Sequence, residues 1–345
     1  MKKILTLLAL TISFGIDAQI TTSGTSNSGT YSSAIGYQTT ASGDYSTAMG
    51  YSTTASQSYC TAMGYATTAS GSTATASGVN TTASGDGSTA IGNVTTASGN
   101  NSTAMGVSTT ASGTNSTAMG NSTTASGNAS TTIGLSTTAS GNTSTAMGFA
   151  TTASGSRSTA MGVNTSASDY GSLVIGQYNS AGSSVTNGPQ SAFIFNTGNT
   201  AFVIGNGTDG SNKSDAFKVM FNGDATVSNN LTVVGDVEVQ SDARLKSNIV
   251  SLGSTLSKLL QIDGKSYEMK GKQKIGVLAQ EIKEVFPELV SEDDNEMLAV
   301  NYQGLVPVLI NALKEQDAKL NEQETKYMEQ EQRLERLERL VSNMD

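Results

Sequence analysis

GNNSTAMGVSTTAS (99–112) is followed at once by GTNSTAMGNSTTAS (113–126). The unit is 14 residues long, and eleven such units run from 29 to 182. Each splits into two halves of seven, in which small residues alternate with something else. A period of two reads as a short strand, and each half ends in a turn. The eighth position is glycine in every unit, from Gly36 to Gly176, and the thirteenth is alanine, from Ala41 to Ala181. The sixth is alanine except at Thr132 and Val174. Facing strands that carry only Ser, Ala, Thr and Gly can approach closely, and the recurring glycine permits a sharp exit from the strand. These spacings predict a mostly β chain with a narrow parallel roll, one coil per unit and about 50 Å long at the usual strand separation.

The seventh position points away from that interior. It runs from Ile35 and Met49 through Met105, Met119 and Met161 to Ile175, and only Ser77 breaks the series. Stacked coils align these side chains into one apolar stripe, which is an interaction surface rather than an ordinary monomer surface. The opposite strand shows Thr and Ser at the twelfth and fourteenth positions. With the faces reversed, the stripe would be the core and the small face would lie in solvent, which leaves its uniformity without a reason.

The recurring S-x-A-x-G-x-x with A-[IM]-G resembles the head repeat of YadA-type trimeric adhesins. The resemblance covers 29–182. It implies a left-handed parallel β-roll in which three chains pack around a common axis through the apolar residues, with a seam locally weak at Ser77. Cys60 stands where other units mostly have Ser and reads as a small interior residue. Adhesins of that family end in a membrane-inserting β-barrel segment. No such segment is recognised here, so attachment to a surface is left unexplained.

The N-terminus has the order of a secretory signal peptide over 1–18: basic MKK, an apolar run and a small residue, Ala18, before Gln19. No cysteine stands at the cleavage point, so no lipid anchor is expected. No later stretch approaches the roughly 18 apolar residues of a spanning helix. A secreted or cell-surface location follows. A single cysteine allows no internal disulfide. Residues 29–182 hold only Asp44, Asp86, Arg157 and Asp169 as charges, so they have no electrostatic footprint for nucleic acid. The head is read as holding no paired carboxylates, no metal ligands and no pocket-forming aromatic cluster. No cofactor, metal or external substrate is expected.

Residues 183–240 change to Val- and Phe-rich stretches split by Asn-Gly, Asp-Gly and Gly-Asp turns, read as a β-rich stalk whose strands interleave between chains. Gly205–Gly210 matches G-x-G-x-x-G, but no amphipathic helix follows, and a chain with 37 glycines produces such matches by chance.

After Gln240 the composition becomes that of an ordinary globular α+β domain, 241–305. LGSTLSKLLQI (252–262) has helical leucine spacing. KIGVLAQEIKEVFPELV (274–290) reads as a strand end, a helix and a proline stop. VNYQGLVPVLINALKEQ (300–316) opens a long helix. From Val306 a heptad holds to 345. One seam position carries Val306, Leu313, Leu320, Tyr327, Leu334 and Val341. The other carries Leu309, Gln316, Gln323, Gln330, Leu337 and Met344. This predicts a coiled coil whose three glutamine layers cost stability and can set register.

SDARLKSNI, then IGVLAQEIKEVFPELV, then VNYQGL together resemble the C-terminal intramolecular chaperone of endosialidase-type phage tail spikes, over roughly 241–320. The resemblance implies that three such domains align three fibre chains, and that each chain then cuts itself immediately before the serine of S-D-x-R-L-K. Carried onto this sequence, the nucleophile is Ser241, the base Lys246 and the scissile bond Gln240–Ser241. The connection between Tyr267 and Gly276 is shorter than tail-spike inserts, which implies a reduced fibre-gripping arm.

The chemistry is coherent on its own terms. A serine hydroxyl needs a base to take its proton, and a chain without histidine has no conventional triad. A lysine serves only when burial or a neighbouring cation favours its neutral form. Arg244 could supply the cation, assembly the desolvation, and Asp242 is expected to point elsewhere or orient a donor. The bland reading makes Ser241 a helix cap and Lys246 a solvated side chain.

The sequence therefore reads as a secreted homotrimeric adhesin-like fibre, 19–240, whose 241–345 portion is an assembly chaperone and single-turnover self-cleaving peptidase. Its receptor is an unnamed surface molecule or glycan. Ice or crystal-surface binding through the ranks of Thr and Ser hydroxyls, and a purely structural spacer with an uncleaved trimerisation domain, are the other readings.

Overall fold

The computed structural model describes residues 23–180, 192–293 and 296–343. The expected signal peptide lies outside them. The chain divides into two units, Met1–Val234 and Gly235–Asp345.

In the first unit each 14-residue repeat is one coil of a parallel β-solenoid. A five-residue strand occupies the fifth to ninth positions, as in Thr103–Val107, and a two-residue strand the twelfth and thirteenth, as in Thr110–Ala111. Long strands stack on long strands in strict register, Met105 beside Met119 and Gly106 beside Gly120. Short strands stack likewise, Thr110 beside Thr124. The alternation assigns the faces: Ala104 and Ala111 are sealed between the two sheets, as is Cys60.

One assignment changes. The eighth-position glycine is not in the exit turn but inside the long strand, at a φ of 123° for Gly106. A Cβ there would run into the carbonyl oxygen of Gly120 one coil on. The turn belongs to the tenth position, Ser108 at a φ of 52°. A second left-handed residue occupies the third position of most coils, as at Asn101 and Asn115. In several coils an Asp or Asn beside it accepts from the preceding coil's backbone, Thr30 N–H to Asp44 Oδ1 at 2.8 Å and Ser72 N–H to Asp86 Oδ1 at 2.9 Å. These bonds satisfy amides that the sheets leave over.

The long sheet continues past the repeats. Thr200–Asn206 pairs parallel with Leu173–Gln177, and Asp215–Met220 and Ala225–Val227 follow antiparallel. In the single chain these strands extend the long sheet of their own roll. The short sheet ends at Ser166–Ala167. There the Asn179 side chain stands in for a further strand: Oδ1 accepts from Ser166 N–H at 2.7 Å, and Nδ2 donates to Ser166 O at 3.0 Å. An edge that would otherwise template another chain is thereby occupied.

The second unit is small and mixed. Helix α1 spans Leu256–Leu259, α2 Ala279–Val285 and α3 Leu305–Ser342. Lys265–Met269 and Lys272–Gly276 form a hairpin closed by Lys270 and Gly271, both at positive φ. Ile282, Phe286 and Val308 form the buried centre, with Leu259, Ile262 and Leu305 packed around it. The helix foreseen over 252–262 is one turn long, Leu256–Leu259, and its N-cap Thr255 makes no cap bond with its own side chain. The cap comes from α3. The Glu315 carboxylate accepts from Thr255 N–H at 2.5 Å, Thr255 Oγ1 at 3.0 Å, Ser254 Oγ at 3.1 Å and Leu256 N–H at 3.3 Å.

Those bonds, the Thr255 amide foremost, hold the Glu315 carboxyl below the usual carboxylate range. A lowered folded value means that the stabilisation is present above the unfolded carboxylate pKa and disappears as pH falls through the folded one. Acid titration followed by helix circular dichroism is expected to show this loss, and Glu315→Gln to remove the acid-side component. An unchanged titration in the variant would refute the assignment.

Candidate cleavage site and assembly face

Ser241 and Lys246 are separated by a single 3-10 turn, Ala243–Leu245. Asp242 caps it in extended geometry, with Oδ1 accepting from Arg244 N–H at 2.8 Å. The Lys246 amide closes the turn onto Ala243 O at 3.1 Å. Reversing the chain over four residues returns the lysine side chain toward the serine, and Lys246 Nζ donates to Ser241 Oγ at 2.7 Å. A cavity of about 490 Å³ is lined by Gln240, Ser241, Asp242, Arg244 and Leu245. Both dyad residues are exposed in the single chain.

Arg244 is paired with Asp242 in the single chain. Its Nη2 and Nε hold both carboxylate oxygens of Asp242, at 2.6 Å and 3.0–3.1 Å. The pairing keeps the Asp242 carboxyl below its ordinary range and raises the guanidinium. The i, i+2 spacing of Asp and Arg around a one-turn element was the signal for this clasp.

The outward face of the long strands is the second candidate. Met49 and Met105 are 41 % and 39 % exposed, and Ile91, Met147 and Met161 lie beside them in register. The ninth position shares this face and went unread in the sequence. Tyr51, Val107, Leu135 and Phe149 occupy it, all exposed. Continuing the alternation two residues past the methionine would have found them. On α3, the heptad residues Leu313, Leu320, Tyr327 and Leu334 are likewise exposed. No helix among the described residues is long and apolar enough to cross a membrane.

Two family models match. The YadA head domain repeat matches at 28–53, 41–67, 69–95, 97–123, 111–136 and 153–179. The chaperone of endosialidase matches 241–291. Among curated proteins, the long tail fiber protein Gp37 of Escherichia phage AR1 is 38% identical over 96 residues, 24% of this chain and 9% of that protein. The Gp37 proteins of Enterobacteria phages K3 and T2 are each 34% identical over 104 residues, 27% of this chain and 8% of theirs. The chain thus spans less than a tenth of the length of these relatives.

Proposed function

We propose that this chain, which carries YadA head repeats ahead of a chaperone-of-endosialidase domain, assembles as a homotrimeric extracellular fibre and then cuts itself once. In this reading 19–240 is the fibre and 241–345 the released chaperone, whose residues 306–345 form a three-stranded coiled coil. The observation that carries it is the register of Met and Ile, broken only at Ser77, on an uncharged outer face. Burying a methionine is worth about 1.5–3 kcal/mol, and ten of eleven coils offer such a residue or its Ile equivalent.

The cut follows from the turn. Ser241 Oγ attacks the Gln240 carbonyl carbon while Lys246, once neutral, takes the hydroxyl proton. The Gln240–Ser241 C–N bond breaks, the Ser241 nitrogen leaves as an amine after receiving a proton, and an ester joins Gln240 to Oγ. Water hydrolyses the ester, leaving a Gln240 carboxylate and a free serine. An exposed lysine favours its charged form, whereas three domains packed together withdraw it from water. Cutting is thereby tied to assembly.

Sedimentation of the full chain tests the first half. Trimers are expected, and Met105→Asp with Met119→Asp is expected to shift them to single chains, because carboxylates resist burial in an apolar seam. Well-folded single-copy particles from the parent would overturn the proposal.

A further inference from the structure

The first three coils differ from the rest. Residues 29–70 hold six of the chain's 11 tyrosines, in two ladders. Tyr37, Tyr51 and Tyr65 lie on the outward face beside the methionines and belong to the assembly seam. Tyr31, Tyr45 and Tyr59 form the other ladder. They occupy the turn before each long strand, at the third position, outside either sheet. Their rings stack at 5.2 Å and 5.1 Å between centroids, the second pair within 3° of parallel. They are 78 %, 50 % and 61 % exposed.

Each of these tyrosines is held at a φ of 56–59°. A bulky residue in the left-handed region is a conformational outlier, whereas Gly and Asn enter it readily. The same place is left-handed in every coil, and later coils carry Thr73, Gly87, Asn101, Asn115, Ala129, Thr143, Arg157 and Gly171 there. The roll itself fixes the left-handed turn, and what sets these three coils apart is the exposed aromatic ring placed on it. The platform is also rigid: Tyr45 N–H donates to Thr30 O at 2.7 Å and Tyr59 N–H to Asp44 O at 2.8 Å, so the turns are locked coil to coil.

We infer that this turn ladder is a binding edge for an extended, neutral, β-1,4-linked saccharide chain. The inference rests on the reading of the head as an adhesive module and names its ligand class. Three features select the class. Asp44 is the only charged side chain in these coils, so the edge carries no run of charge that would select an ionic ligand. Aromatic edges with hydroxyl tips meet both the apolar C–H faces and the hydroxyls of sugars. The ladder is periodic, and a β-1,4 chain lying along it repeats its sugars at close to the ring spacing.

The test is calorimetric titration of the full chain with cellohexaose and with chitohexaose, in the parent and in a Tyr31→Asn, Tyr45→Asn, Tyr59→Asn variant. One or both sugars are expected to bind the parent, and the variant to bind about tenfold or more weakly. Because Asn suits the left-handed turn, the melting temperature is expected to stay within about 4 °C of the parent or to rise. Failure of the parent to bind either sugar, equal affinity in the variant, or a large drop in melting temperature that marks the ladder as a structural staple, each overturns the inference. A parent that sediments as a trimer and binds neither sugar refutes the saccharide edge while leaving the proposed fibre intact.

Discussion

Ser241→Ala is expected to leave a single full-length band on a denaturing gel where the parent gives two, with the smaller parental fragment beginning at Ser241. The expectation rests on the turn that delivers Lys246 Nζ to Ser241 Oγ at 2.7 Å. Alanine keeps the turn, which is capped by Asp242 and closed by backbone bonds, and removes only the attacking oxygen. Lys246→Met is expected to abolish the cut equally. Lys246→Arg is also expected to be inactive, because a guanidinium does not give up its proton in proteins. The Met105→Asp, Met119→Asp chain is expected to remain uncut as well, although both dyad residues are intact, since its lysine stays in water. Identical single bands from the parent and from Ser241→Ala would remove the mechanism. Cutting in the single-chain seam variant would sever cleavage from assembly.

Gly106→Ala is expected to destabilise the roll by at least about 3 kcal/mol, among the largest effects available to one methyl group. Two costs coincide. The φ of 123° belongs to a region that side-chain-bearing residues rarely enter. The added carbon also meets the Gly120 carbonyl oxygen, a backbone atom fixed in the next coil's ladder. Relief requires opening the spacing between coils, which breaks strand pairing on both sides. In a stacked array each coil depends on its neighbours, so the damage spreads along the solenoid. Thermal denaturation followed by circular dichroism measures it. Ser112→Ala, at an exposed position of the same coil, is expected to stay within about 0.5 kcal/mol. Equal melting temperatures for the two variants would show that the glycine is not required.

Much of this architecture was legible in the primary structure because a 14-residue period is a local fact repeated eleven times. Alternation placed Ala104 inside and Met105 outside, and S-D-x-R-L-K placed a serine and a lysine within one turn of each other. Other features escaped because they depend on the neighbouring coil. A glycine in the eighth position suggests a turn until the carbonyl 14 residues on is seen to fill the space of its Cβ. The stacking of the three turn tyrosines is visible only once the coils are placed one on another. Arg244 reads from spacing as a free cation beside Lys246, and its clasp on both Asp242 oxygens is visible only in the structure.

The amino-acid sequence by itself determined the coil length, the two faces of the roll, the heptad of α3 and the candidate dyad, since each follows from spacing along one chain. Only the tertiary structure decided what each coil leaves for the next: the glycine against a carbonyl, the amide of Asn179 closing the last short strand, and Glu315 capping a helix 60 residues away in sequence. Spacing specifies which side of an element a residue occupies. Which partner satisfies its polar groups is settled by packing, where an unpaired donor or acceptor is too costly to leave alone.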